Sequence, residues 1–188
     1  MEVAEQVEPL TLAQKLGDTP HVSVLLRKVC GLSGCEEKQV GEWLLKCAIK
    51  RGAVHYERDF AENIPSDHSA LTDEELGVAL CLGQHPYHAV YLRAAAQLLS
   101  SPRVDPVRLC RLALMERVEP VLLFMATVAE RFAPQAEPWR HLRTHLRCRL
   151  SIPPDVLPHW SRFVSQTGVT PFGGGPDIKW LYRREPVG

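Results

Sequence analysis

The sequence predicts a mainly α-helical protein in which three αα-hairpins follow a small three-helix module. Three observations carry that prediction. Pro86, Pro120 and Pro154 recur at intervals of 34 residues, each opening the second helix of a pair. Acidic residues stand directly before proline at Asp105-Pro106, Glu119-Pro120 and Glu137-Pro138, the arrangement of a helix N-terminus with proline in its first turn. Between these signals, apolar side chains repeat near the 3.6-residue helical period.

Taken in order, residues 1–9 read as a flexible tail. Residues 10–64 form the N-terminal module. Within it, residues 10–16 and 21–32 are two short helices parted by Gly17-Asp18-Thr19-Pro20, a turn whose proline is placed to start the second helix. Residues 36–51 are a clearer helix. Val40, Trp43, Leu44, Cys47, Ala48 and Ile49 make its apolar stripe, Lys46, Lys50 and Arg51 fill its last turn, and Gly52 stops it. Residues 53–60 have the pattern of a short strand, and a loop around Pro65 marks the boundary.

The hairpins occupy residues 70–167. Thr72 with Glu75 is a capping box that opens a helix running to about Leu82. The partner helix begins at His85-Pro86 and ends at Ser100-Ser101-Pro102. Helices starting at Asp105, Glu119, Glu137 and Pro154 complete the set. The stretch from Pro120 to Phe132 is apolar nearly all round, so it is expected to be the central helix. Residues 168–188 form a hinge of Gly173, Gly174 and Gly175 and a tail whose Phe172, Trp180 and Tyr182 favour docking on the protein itself.

The hairpin starts Thr72, Asp105 and Glu137 are 33 and 32 residues apart, and Leu76, Leu109 and Leu142 recur every 33. In period alone this resembles the HEAT and tetratricopeptide classes of helical array. The tetratricopeptide signature of Trp, Leu-Gly, Tyr and Ala-x-x-x-Phe is missing from all three units, so the peptide-binding residues of that family are not carried over. Three helices followed by a strand also give residues 10–60 the order of a winged helix-turn-helix, with residues 36–51 in the place of the recognition helix. That segment is net acidic, which argues against a DNA-reading role.

Composition sets further bounds. The chain has 188 residues, with 22 Lys+Arg against 22 Asp+Glu, so no overall basicity draws it to nucleic acid or to an anionic membrane. No apolar run approaches the ~20 residues needed to cross a bilayer, and Glu2, Glu5 and Glu8 suit neither a secretory nor a mitochondrial leader. A reducing cytoplasm is the expected compartment, with the nucleus as the other choice, and the six cysteines are expected to be free thiols. The charge is uneven along the chain. Residues 1–75 carry 14 acidic and 8 basic side chains, residues 76–188 the reverse, and 13 of those later 14 cations are Arg. A general Lys and Asn depletion, with Asn63 as the sole Asn, accounts for part of that excess.

Three groups of residues are candidate sites. Arg108, Arg111, Arg117, Arg140, Arg143, Arg147 and Arg149 fall on the first helices of the second and third hairpins. Stacked side by side, these helices would present one basic ridge to an acidic segment or to phosphates. His141, His145 and Cys148 stand at i, i+4 and i+7, a spacing that would offer zinc three ligands from one helix face. No fourth ligand accompanies them, and Leu142 stands where a zinc protease carries its Glu, so neither metal nor cofactor is assigned. His85 and His88 are read first as helix-start residues. Cys30 and Cys35 flank a turn, and Gly173 to Gly175 match no phosphate loop.

The leading expectation is a non-enzymatic interaction or adaptor module. It would bind an acidic protein segment through Arg108, Arg111, Arg140, Arg143 and Arg147, with Trp180 and Tyr182 of the tail taking part. One alternative is a nucleic-acid-associated regulator that uses the winged-helix-like module. A second is a metal-binding protein or enzyme built on His141, His145 and Cys148. The sequence does not fix the oligomeric state.

Overall fold

In the computed structural model, residues 11–16, 21–53, 69–83, 89–132, 136–147, 156–160 and 163 are described. Among them the chain is mainly helical, with α1 (Leu12–Leu16), α2 (Val24–Ser33), α3 (Val40–Lys50), α4 (Asp73–Leu80), α5 (Ala89–Leu99), α6 (Pro106–Glu116), α7 (Glu119–Phe132) and α8 (Glu137–His145). No helix is long and apolar enough to cross a membrane among these residues. The strand expected over 53–60 lies, but for buried Ala53, outside them, as do Pro86, Pro154 and the tail with Trp180 and Tyr182.

Local chemistry explains most helix ends. Thr72 caps α4: its hydroxyl accepts from the Glu75 N–H at 3.3 Å, and the Glu75 carboxylate accepts from the Thr72 N–H at 2.9 Å. Asp105 caps α6, accepting from the N–H groups of Val107 and Arg108, with Pro106 in the first turn. Gly34 ends α2 in the left-handed region at φ 67°, its N–H returning to the Cys30 carbonyl. Two starts differ from expectation. Helix α2 begins at Ser23 rather than Pro20, because the Ser23 hydroxyl accepts from the Leu26 N–H at 2.8 Å and so supplies the cap. Helix α3 begins at Val40, after a turn that takes up Glu37 to Gln39.

Among the described residues, α4 has packed neighbours on the most sides. It packs against α2, α3, α5 and α6, whereas α7 packs on α8 and, more lightly, on α6. Leu76 to Leu82 are buried without interruption. Helix α4 tolerates neighbours on all sides because Gly77 lets α5 approach: a β-carbon there would stand 2.5 Å from Leu99 Cδ2. Gly41 does the same for α3 under the Tyr91 ring.

Helix α6 lies against α4, and α8 against α6. Leu76, Leu109 and Leu142 are fully buried on these three helices. A single cluster of buried apolar side chains runs from Leu12 to Phe163 and includes α2 and α3. Polar clips tie its parts together. Glu74, itself buried, accepts from the Asp105 N–H at 2.7 Å and joins α4 to the start of α6. Arg51 pairs with Asp73 at 3.0 Å and donates to the Leu71 carbonyl. Buried Arg93 donates to the Phe163 carbonyl at 3.2 Å and lies over the Phe163 ring, which meets Phe124 edge-on.

Candidate partner-binding surface on the arginine-bearing helices

Helix α6 turns Leu109, Ala113 and Glu116 inward. Glu116 is its only carboxylate, and it is buried. Its two oxygens accept from the Ser23 hydroxyl at 2.5 Å and from the Leu25 N–H at 3.0 Å, so the anion sits on the N-terminus of α2. The outer face of α6 therefore carries no accessible carboxylate. It presents Val107, Arg108, Arg111, Leu114 and Met115, all exposed. After Glu116 the chain leaves the helix through Arg117, a non-glycine residue in the left-handed region at φ 55°, whose N–H caps the Ala113 carbonyl.

Helix α8 buries Pro138, Trp139 and Leu142. The Trp139 indole N–H donates to the Ser100 hydroxyl at 3.0 Å, which orients the helix against the end of α5. Arg140 and Arg143 are exposed, but each has a carboxylate partner, Glu137 on the same helix and Glu130 on α7 respectively. The helix ends at His145, with Leu146 already extended. Arg147 is consequently not on the helix, and its guanidinium donates to the Arg143 and Leu146 carbonyls. Arg140 and Arg143 thus remain on the surface with carboxylates of the chain beside them. Arg108 also has a partner, Glu75, at 3.4 Å. Among the described residues Arg111 alone of the five predicted arginines has neither an ion pair nor a carbonyl acceptor.

Of the His141, His145 and Cys148 trio, α8 carries the two histidines. Cys148 lies outside the described residues, as do Arg149, His85 and His88. The two imidazoles stack at 4.0 Å, and His145 Nδ1 is bonded to the His141 carbonyl at 3.0 Å. No group of three or more potential ligands gathers among the described residues.

Electrostatics elsewhere favours packing over chemistry. Cys30, Cys35, Cys47, Cys81 and Cys110 are free thiols. Burial pushes Cys47 up to about 12, outweighing the cations of Arg51 and Lys50, and pushes buried Cys81 up as well. These two sulfurs stay protonated and act as small hydrophobes. A cleft between α1 and the α6–α7 turn is lined by Leu12, Leu16, His21, Cys81, Glu116 and Val121; it has room for about one water molecule.

Sequence reasoning missed the apolar part of the α6 surface. Val107, Leu114 and Met115 are each more than half exposed, and so are Val22 and Val24 beside the α2 cap. The signal was present in Val-Arg-Leu-Cys-Arg-Leu-Ala-Leu-Met, where apolar residues fall on both faces of the helix and exceed a single core stripe. No family model, curated protein or solved structure matches the chain in comparisons with known proteins.

Proposed function

We propose that the protein is an interaction module that binds an acidic protein segment through its arginine-bearing helices, with α6 as the principal contact and α8 as its neighbour. The observation that carries this reading is the outer face of α6, where Arg108 and Arg111 are exposed while Glu116, the one carboxylate within the helix, is taken up by the N-terminus of α2. Guanidinium groups suit this role because they grip carboxylates through two parallel hydrogen bonds and remain charged throughout the physiological pH range. Arg140 and Arg143 add a second tier by exchanging their present carboxylates for those of the partner.

Fluorescence anisotropy tests the reading. A labelled peptide rich in Glu should bind more tightly than an uncharged peptide of equal length, and Arg108→Glu with Arg111→Glu should weaken it at least tenfold, about 1.4 kcal/mol, while the circular dichroism spectrum is unchanged. Equal binding of both peptides contradicts the proposal. Duplex DNA serves as the comparison ligand. Tighter binding to DNA than to the peptide, with affinity falling steeply as salt is raised, would favour the nucleic-acid role instead.

A further inference from the structure

Five large hydrophobic side chains are exposed among the described residues, three of them on one helix. Val107, Leu114 and Met115 share the outer face of α6. Val22 and Val24 flank Ser23, the residue whose hydroxyl holds Glu116 at the end of that same helix. On a helix, positions 107, 111, 114 and 115 fall along one side, a ridge about 12 Å long at 1.5 Å per residue. Its middle position is Arg111, an exposed cation for which no carboxylate partner is found among the described residues. An arginine within an apolar border is the composition of a binding hot spot, since the border excludes water from the charge it surrounds.

We infer that this ridge, together with the turn leading into α2, is a docking surface for one amphipathic helix of a partner protein, its apolar stripe bordered by carboxylates. The inference rests on the acidic-partner reading above and adds the shape of the partner. Charge selects the occupant. An uncharged helix laid on the ridge would cover Arg111 without compensating it, and desolvating an unpaired guanidinium opposes binding. A carboxylate at the centre of the partner's contact removes that cost. Arg108 at one edge and exposed Arg27 on α2 favour further acidic residues on the flanks. A second copy of this chain fits poorly. Residue 111 is the midpoint of 107–115, so two such ridges paired about a twofold axis would bring the two Arg111 side chains together.

Selection from a displayed library of random 16-residue peptides tests the surface. Three immobilised baits are compared: the wild-type protein, Arg111→Glu, and Leu114→Ser with Met115→Ser. The altered side chains are exposed, so all three should melt at closely similar temperatures. Peptides enriched on the wild type should carry apolar residues at i, i+3 or i+4 and i+7, flanked by Asp or Glu. Each should bind either variant at least tenfold more weakly. Acidic peptides without that apolar spacing, indifferent to the Leu114 and Met115 changes, would overturn the amphipathic-helix inference and leave the acidic-partner reading standing. Enriched peptides lacking acidic residues, or no enrichment at all, would overturn both. Light scattering on the wild type completes the test: a dimer that Met115→Ser dissolves would assign the ridge to a second copy and overturn the inference.

Discussion

Replacing Glu116 with Ala should destabilise the protein by about 3 kcal/mol, although residue 116 lies at the very end of its helix. The carboxylate accepts two hydrogen bonds, from Ser23 at 2.5 Å and Leu25 at 3.0 Å, and it is buried. Hydrogen bonds to an ionised group contribute about 1.5–3 kcal/mol each. An anion at a helix N-terminus adds about 0.3–1 kcal/mol. Those figures are already net of exchange with water, and taking their lower end for two bonds that share one carboxylate gives about 3 kcal/mol. Glu116→Gln keeps the shape and one good acceptor but turns an amide N–H towards a donor, so it should cost about 1–2 kcal/mol. Urea unfolding would measure both losses as midpoint shifts at constant slope. Hydrogen exchange should quicken at Leu25 and Leu26 before it quickens in α4. A loss below about 0.5 kcal/mol for Glu116→Ala, the size of an ordinary surface change, would refute the clamp between α6 and α2.

Three further outcomes are expected. Gly77→Ala should lower stability by about 1–2 kcal/mol, because displacing fully buried Leu99 outweighs the ~1 kcal/mol gained in helix propensity; a thermal melt no lower than wild type would show that the interface yields freely. For Glu75, burial raises the carboxyl pKa, but the Thr72 N–H, the Lys28 ammonium and Arg108 together outweigh it and hold the pKa below the ordinary carboxylate value. Its stabilisation is therefore complete at neutral pH and is lost as the pH falls through the folded-state pKa; Glu75→Gln should flatten that part of the stability–pH curve, by less than about 1 kcal/mol because Lys28 is largely exposed. Cys47 and Cys81 should resist a thiol-labelling reagent at pH 8 until the protein unfolds, and labelling of either at the rate of a free thiol would contradict their burial.

What the sequence disclosed, and what it concealed, follows from the range of the forces involved. Helix starts set by local chemistry were legible: the Thr72 box and the Asp105 cap require only neighbours within four residues. Pro20 misled because Ser23 offers a stronger cap three residues later. The packing of α4 on several sides was hidden, since Asp73, Glu74 and Glu75 make it look like a surface helix. In the fold Asp73 and Glu75 meet Arg51 and Lys28 from other helices, while Glu74 turns to the Asp105 N–H. Periodicity made Arg111 visible on an outer face but not its isolation from carboxylates. Its helix neighbours three and four residues away are Val107, Arg108, Leu114 and Met115, and what the sequence does not show is that no carboxylate of another described element reaches it. Arg140 and Arg143 stay exposed but paired, Arg140 with Glu137 three residues earlier on its own helix and Arg143 with Glu130 on α7, a contact between helices that periodicity does not reveal.

The claim that the outer face of α6 is where the protein meets its partner is tested most directly by residue-resolved NMR titration with the Glu-rich peptide. The backbone amides of residues 107–115 should shift together with those of Val22 to Arg27, and Arg111→Glu should abolish the changes. Shifts confined to α3 or to residues around His141, with α6 unmoved at saturating peptide, would contradict it.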